Sequence, residues 1–168
     1  MKIKYLFIVV TSIFMMSNIN AQKFGYINST ELLLLHPDVK SADTKLQEFQ
    51  NQLLSKGQKM ANDFQKHYED YMKEANAGTL SKIQMQEREN NLTQEQNKIR
   101  QYQVDMQQQL EQKRQELYQP ILDKIQKAIN EVGKENNYTF IFDAGTGGIL
   151  HADESDNLLN LVKTKLGI

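Results

Sequence analysis

The feature that most constrains the fold is a long polar stretch, residues 38–133, whose apolar residues recur at helical spacing. Gln, Glu, Lys, Leu and Met dominate the stretch, and these residue types tolerate a helix well. An apolar seam with alternating steps of three and four residues passes through Val39, Ala42, Leu46, Phe49 and Leu53. Further along, a step of eleven residues, close to three helical turns, joins Ile99, Leu110, Ile121 and Val132. The spacing predicts long helices that each present a narrow stripe to a partner.

A turn signal lies in the middle of this stretch. Gly78 suits a left-handed helix end, and Ser81 followed by Gln84 fits a capping box. A helix end and a helix start this close together predict an antiparallel helical hairpin, residues 38–133, with its tip near 76–81. Pro120 lies inside the returning helix, and the sequence leaves open whether it kinks or ends that helix.

The remaining apolar residues lie at the two ends of the chain. Residues 24–28, 138–143 and 149–153 are predicted strands, and residues 155–167 are a predicted helix with an N-cap at Ser155 and a stop at Gly167. The run Leu32–Leu35, stopped by Pro37, is expected to pack on this sheet. The predicted fold is therefore α+β and mostly α, with a small β head formed by residues 22–37 and 134–168.

Such a head is too small to be stable alone. Three short strands per chain are marginal, and their edges remain exposed, so we expect sheets from several copies of the chain to join. The residues expected in this oligomerisation head are Phe24, Tyr26, Ile27, Phe140, Ile141, Phe142, Ile149 and Leu150.

The first residues predict export. Lys2 and Lys4 precede the apolar run 5–16, and Ala21 offers a cleavage point, so residues 1–21 are typical of a signal peptide; an uncleaved anchor is the alternative. The chain has no Cys, which excludes a lipoprotein anchor and a disulfide scaffold. Removal of Lys2 and Lys4 lowers Lys+Arg from 20 to 18 against 21 acidic residues, a net charge of −3. This charge argues against a nucleic-acid partner.

Residues that could support catalysis are scattered. His36 is expected to cap a helix and His67 to lie half-exposed on the hairpin stripe. Asp143, His151 and Asp153 offer weak evidence for a metal site or an enzyme. The segment "DAGTGG" lacks the ending of a phosphate loop and is better explained as a turn. We therefore predict no catalytic residue, no metal and no cofactor.

The outer half of the hairpin is more informative. Met side chains adapt to irregular partners, and Tyr and Phe give contact area with little loss of rotamer freedom; both kinds are concentrated there. The candidate residues for binding an apolar or unfolded polypeptide, a client, are Met60, Phe64, Tyr68, Tyr71, Met72, Leu80, Ile83 and Met85. A helical hairpin uses one face for itself, so we expect about two-thirds of these residues to join the two helices and the rest to face a partner.

The chain resembles the Skp/OmpH family of periplasmic chaperones. The resemblance lies in the export signal, "FGYINSTELLLLHP", the "GTLS" tip, "YQPILDKIQKAINEVGKENNY" and "FIFD…ILHAD", and it covers residues 22–168. It implies a homotrimer with a shared β-barrel body and three helical tentacles, which holds unfolded outer-membrane proteins in the periplasm without ATP. Well-known members are strongly basic, whereas this chain is mildly acidic. Binding to membranes or lipopolysaccharide is therefore not carried over.

Three functions follow as hypotheses. The first is an ATP-independent periplasmic holdase that encloses unfolded outer-membrane β-barrel proteins between its helical arms. The alternative is a structural coiled-coil adaptor of the cell envelope that binds one folded partner. An enzyme built around Asp143, His151 and Asp153 is the weakest of the three.

Overall fold

The computed structural model describes residues 22–168, and the signal peptide predicted for residues 1–21 lies outside them. The elements in chain order are β1 (Lys23–Ile27), α1 (Ser29–Leu35), α2 (Pro37–Asn76), α3 (Lys82–Glu135), β2 (Tyr138–Asp143) and α4 (Leu159–Leu166). Two compact units emerge: a head unit of residues 22–32 and 125–168, and a hairpin unit of residues 33–124. The mostly helical α+β class is confirmed.

Local side-chain chemistry sets the ends of α2 and α3. His36 caps α2, because its Nδ1 accepts the Asp38 N–H at 3.2 Å, and Pro37 occupies the first turn, where no N–H is needed. Beyond the end of α2, Gly78 adopts a left-handed φ of 67°. Ser81 and Gln84 then exchange the two hydrogen bonds of a capping box, at 2.9 and 3.3 Å. The predicted turn is therefore confirmed.

The predicted stripes face inward. Val39, Ala42 and Leu53 are buried on α2. On α3, the residues of the eleven-residue repeat are either half-buried (Ile99, Leu110) or buried (Ile121, Val132). Pro120 lies inside α3, which continues to Glu135. Pro120 therefore does not end the helix.

The head unit contains a two-stranded parallel sheet. β1 pairs with β2 so that Phe24 lies opposite Phe140, Gly25 opposite Ile141 and Tyr26 opposite Phe142. A parallel pair requires a long crossover, and here residues 28–137 provide it. Asn137, with a left-handed φ of 59°, separates α3 from β2.

The predicted third strand, residues 149–153, is wrong. After β2 the chain enters a tight turn, Ala144–Thr146, and Gly147 adopts a φ of 74°; residues 149–153 that follow form no strand. Asn157 instead forms a single parallel bridge with Tyr26, and the Leu158 N–H donates to the Tyr26 carbonyl at 2.9 Å. The predicted N-cap at Ser155 is also wrong, because α4 begins at Leu159 with Leu158 as its N-cap residue; Asn157 Oδ1, just before it, accepts the Leu159 N–H at 3.0 Å. The predicted stop at Gly167 is confirmed by its φ of 75°.

The run Leu32–Leu35 does not pack on the sheet as a whole, which was the expectation from the sequence. Leu32 is fully buried, but Leu34 and Leu35 are 73% and 46% exposed. A helix directs neighbouring side chains about 100° apart, so four consecutive leucines cannot share one buried face. The expectation therefore holds for Leu32 and is wrong for Leu34 and Leu35.

Buried apolar side chains from several elements form the core of the head unit. They are Ile27, Leu32, Ile125, Ala128, Val132, Leu158 and Val162. Two glycines allow close contact: a Cβ on Gly25 would lie 2.8 Å from Leu158 Cδ1, and a Cβ on Gly133 would lie 3.1 Å from Ile141 Cδ1. The sheet therefore packs directly against α3 and the start of α4.

Asp143 fastens the end of β2 to the start of α1. Its carboxylate accepts the Ser29 hydroxyl at 2.5 Å, the Ser29 N–H at 3.1 Å and the Gly145 N–H at 2.8 Å. Burial alone raises the pKa of Asp143, but these hydrogen bonds outweigh burial and hold the pKa below its usual value. The ionised carboxylate is thus the form that stabilises the fold.

We predict that Asp143→Asn destabilises the head unit by about 1–3 kcal/mol at pH 7, because it weakens a partly buried network. The lowered pKa means that the carboxylate stabilises the fold above pH 3.8 and loses this contribution as the pH falls through its folded-state pKa. The difference in free energy of unfolding between wild type and variant should therefore shrink below about pH 4. Urea titrations at pH 7, 5 and 3 check this; a constant difference would contradict the role of ionisation.

Candidate functional site

Three phenylalanines cover one face of the sheet. Residues two apart on a strand share a face, so Phe140 and Phe142 lie side by side and Phe24 lies opposite Phe140. The ring centroids are 6.0 to 6.3 Å apart. These rings, here called the aromatic face, are 44% (Phe24), 56% (Phe140) and 50% (Phe142) exposed. A sheet face this apolar is typical of an interaction surface.

A cavity of about 460 Å³ adjoins the aromatic face, and its lining includes Phe24, Tyr26, Phe142, Ile149 and Leu150. Leu150 is 98% exposed. Tyr26 donates its hydroxyl to Glu154 Oε2 at 3.2 Å; burial and the nearby Glu154 charge raise the pKa of the phenol. The apolar surface therefore continues beyond the sheet.

The structure divides the residues predicted for the oligomerisation head. Phe24, Phe140, Phe142 and Leu150 are exposed, whereas Tyr26, Ile141 and Ile149 are half-buried. Ile27 is only 2% exposed and belongs to the core of its own chain. The role of all eight residues in oligomerisation stays a prediction.

The predicted client-binding residues also divide. Met60, Phe64, Tyr71, Leu80 and Met85 are half-buried. Tyr68, Met72 and Ile83 are 47%, 38% and 81% exposed. Tyr68 stacks on Phe64 with the centroids 6.4 Å apart. The eight residues thus include both seam residues and exposed residues, and their contact with clients stays a prediction.

Polar side chains join α2 to α3 along the hairpin. Near its base, Lys124 Nζ contacts Asp38 Oδ2 at 2.7 Å, and Tyr118 donates its hydroxyl to Asp43. The Lys124 hydrogen bond lowers the pKa of Asp38, and the Asp43 carboxylate raises the pKa of Tyr118.

Toward the tip, His67 Nδ1 lies 3.0 Å from both oxygens of Glu95. Tyr71 donates to Glu89 at 2.7 Å, and this bond raises the pKa of Tyr71. Arg88 contacts Glu74 at 3.4 Å. The partner numbers fall on α3 as they rise on α2, so these contacts fix an antiparallel register.

One structural residue escaped sequence analysis. Tyr102 is buried, and its hydroxyl donates to the Leu53 carbonyl at 2.9 Å. Its ring covers Gly57, where a Cβ would lie 3.3 Å from the ring. A glycine at a seam position of α2 was the signal, because such a gap accepts a large side chain from the opposite helix.

The structure does not support a site built on Asp143, His151 and Asp153. Asp143 is engaged by Ser29 and Gly145, and Asp153 accepts the Ser155 N–H at 2.8 Å. Hydrogen bonding from the Ser155 side chain, and then from its backbone, lowers the pKa of Asp153. Within residues 22–168, no cluster of three His, Asp or Glu side chains could hold a metal ion. Of the helices in the same residues, none is long and apolar enough to cross a bilayer.

Comparison with known protein families shows the family to which this chain belongs. The family model described as outer membrane protein (OmpH-like) matches residues 23–166. The chain belongs to the OmpH-like family. This family is periplasmic and non-enzymatic, and membership supports a chaperone role.

A solved OmpH-like structure has the same fold. The crystal structure of a candidate outer membrane chaperone (OmpH-like) from Caulobacter crescentus CB15 superposes with a TM-score of 0.73. The match covers 89% of this chain and 86% of that chain at 11% sequence identity. The curated protein sequences include no match to this chain. At this identity the likeness concerns the fold alone.

Proposed function

We propose that this protein is an ATP-independent periplasmic holdase that binds unfolded outer-membrane β-barrel proteins and prevents their aggregation. The observation that carries the proposal is the outer half of the hairpin, where Tyr68, Met72 and Ile83 are exposed to solvent. Exposed aromatic and thioether side chains on a long hairpin offer many weak apolar contacts to an unfolded chain. OmpH-like family membership supports a chaperone role for this surface.

Two features of the head unit support the proposal that several copies of the chain assemble. Both β1 and β2 lie at the edges of a two-stranded sheet, and the aromatic face is about half exposed. Asn157 and Leu158 already occupy the β1 edge at Tyr26, so other copies of the chain would cover the aromatic face and pair with the outer edge of β2. The resemblance to Skp/OmpH chaperones implies three copies, with the three hairpins surrounding a client cavity. Several weakly binding arms acting together would then hold one client strongly.

A direct test is the aggregation of a client. A urea-denatured outer-membrane β-barrel protein is diluted into buffer with and without the purified protein, and light scattering is followed. We expect scattering to fall to near baseline at about one assembly per client. Scattering that is unchanged by an excess of folded protein would contradict the proposal.

Matched variants locate the binding surface. Replacing Tyr68, Met72 and Ile83 by Ser removes apolar groups that are worth about 1 kcal/mol or more each when they are covered by a client. We expect these replacements to raise the concentration needed for half-suppression at least about tenfold, which corresponds to 1.4 kcal/mol. The control replaces three exposed glutamines of α3 by Ser, namely Gln94, Gln96 and Gln103. Equal effects of both variants would contradict an apolar binding surface.

The adaptor alternative is favoured by a single observation, the 81% exposure of Ile83 beside the tip. A one-point docking surface would lose its partner completely on Ile83→Ser. A holdase with many weak contacts would lose capacity only in part. Titration of one variant thus distinguishes the two functions.

A further inference from the structure

Burial divides the hairpin unit at the level of Leu53 and Tyr102. On the base side, His36, Val39, Ala42 and Ile121 are buried, as are Leu53 and Tyr102 themselves. Of residues 54–101, all of which the structure describes, none is fully buried. In the inner half, residues 43–52 and 103–120 are not fully buried either, so buried residues hold it at its two ends, at the base and at Leu53 and Tyr102. The outer half has no buried residue at all.

The boundary itself is tightly packed. The Tyr102 ring covers Gly57, the Tyr102 hydroxyl binds the Leu53 carbonyl at 2.9 Å, and Lys56 Nζ lies 5.1 Å from the ring centroid. A buried aromatic ring with a satisfied hydroxyl forms a strong contact. Separation of the helices from the tip inward would therefore stop here.

The contacts that close the outer half are weak by comparison. Side chains of the His67–Glu95 and Glu74–Arg88 pairs are between 32% and 53% exposed. Exposed ion pairs contribute only about 0–1 kcal/mol each. Segments with few buried apolar contacts open at low cost in free energy.

A cavity of about 220 Å³ lies in this outer seam. Met60 and Ile99 are its apolar lining, and Asp63, His67, Glu95 and Lys98 are its polar lining. A single cavity of this size suits one inserted side chain. A helix that bound the hairpin along its length would need a continuous stripe of apolar positions. The adaptable Met60 thioether favours an aromatic or aliphatic side chain in this cavity.

We propose that the outer half of the hairpin opens along its seam and takes apolar side chains of an unfolded client polypeptide between α2 and α3, at the Met60–Ile99 cavity. The Tyr102–Gly57 contact keeps the inner half closed. This inference rests on the proposed holdase function and adds to it: client contacts include the half-buried seam residues Met60, Phe64 and Ile99, which become accessible when the helices separate. The outer surface then supplies only part of the binding.

Reversible cross-links test the opening. Because the chain has no Cys, introduced thiols are the only ones present. One variant carries Glu74→Cys and Arg88→Cys in the outer half, outside the Met60–Ile99 cavity; the matched control carries Asp43→Cys and Tyr118→Cys in the inner half. Both pairs are in side-chain contact across the hairpin. Each pair is joined by a short, reducible bifunctional thiol reagent.

We expect the outer cross-link to reduce the amount of client held at least fivefold, and reduction to restore it. The inner cross-link should have no effect. Full client binding by the outer cross-linked protein would overturn the inference while leaving the holdase function intact.

Hydrogen exchange of the free protein decides the opening even if no client is held. A helix that separates from its partner keeps its own backbone hydrogen bonds but loses the packing that stabilises them, so it frays. Backbone amides of residues 54–101 should therefore exchange at least tenfold faster than those of residues 38–53 and 102–119. Equal protection of the two halves would overturn the inference. Failure of the wild-type protein to suppress aggregation, with this exchange difference present, would refute the holdase function and leave the seam opening supported.

Discussion

Replacing Leu158 by Ala should lower the free energy of unfolding of the head unit by about 2–5 kcal/mol, the range for removing a buried leucine side chain. Leu158 is 1% exposed and packs against Gly25. Its backbone N–H also binds Tyr26 at the edge of β1. A cavity at this point therefore loosens the sheet and α4 together.

The control for this variant is Leu161→Ala, three residues further along the chain and 46% exposed. Its effect should be clearly smaller, because less apolar area is lost from the core. Urea unfolding at fixed protein concentration, followed by near-ultraviolet circular dichroism of all aromatic side chains, measures both. Equal destabilisation by the two variants would contradict the core assigned to the head unit.

Replacing Phe140 and Phe142 by Ser should dissociate the assembly. Each ring is about half exposed in the single chain, so cover by another copy contributes about 1 kcal/mol per ring. In a trimer the six lost rings amount to about 6 kcal/mol, or more than four orders of magnitude in the association constant. The variant should be largely monomeric at micromolar concentration, and its holdase capacity should fall with the loss of multivalency.

Thr139→Ala is the matched control, because Thr139 is an exposed residue of the same strand that does not belong to the aromatic face. It should leave the solution mass unchanged. Sedimentation across a concentration series compares the two variants with wild type. A serine variant that keeps the wild-type mass would show that the aromatic face is not the contact between copies.

Local signals in the sequence were sufficient for the hairpin. Gly78, Ser81 and Gln84 act on neighbouring backbone groups, so their spacing alone predicted the turn, which the structure has between Asn76 and Lys82. The inward-facing stripe could be predicted equally well from the sequence, because helix geometry fixes which residues share a face. These features require no knowledge of distant parts of the chain.

Features that depend on distant residues were not predictable. The apolar segment 149–153 has strand-like residues, yet Asp143 and Gly147 form a turn before it and Asn157 takes the position beside β1. The Tyr102–Leu53 bond joins positions 49 residues apart. Helix geometry excludes a shared buried face for Leu32–Leu35, but which of the four is buried depends on the folded head unit, where Leu32 is the buried one.

We propose that the head unit completes its sheet with other copies of the same chain, so that several hairpins act on one client. Light scattering coupled to size-exclusion chromatography, at micromolar concentration and neutral pH, measures the mass of the particle in solution. We expect the mass of three chains, stable on dilution. A folded protein with the mass of a single chain would refute the shared sheet.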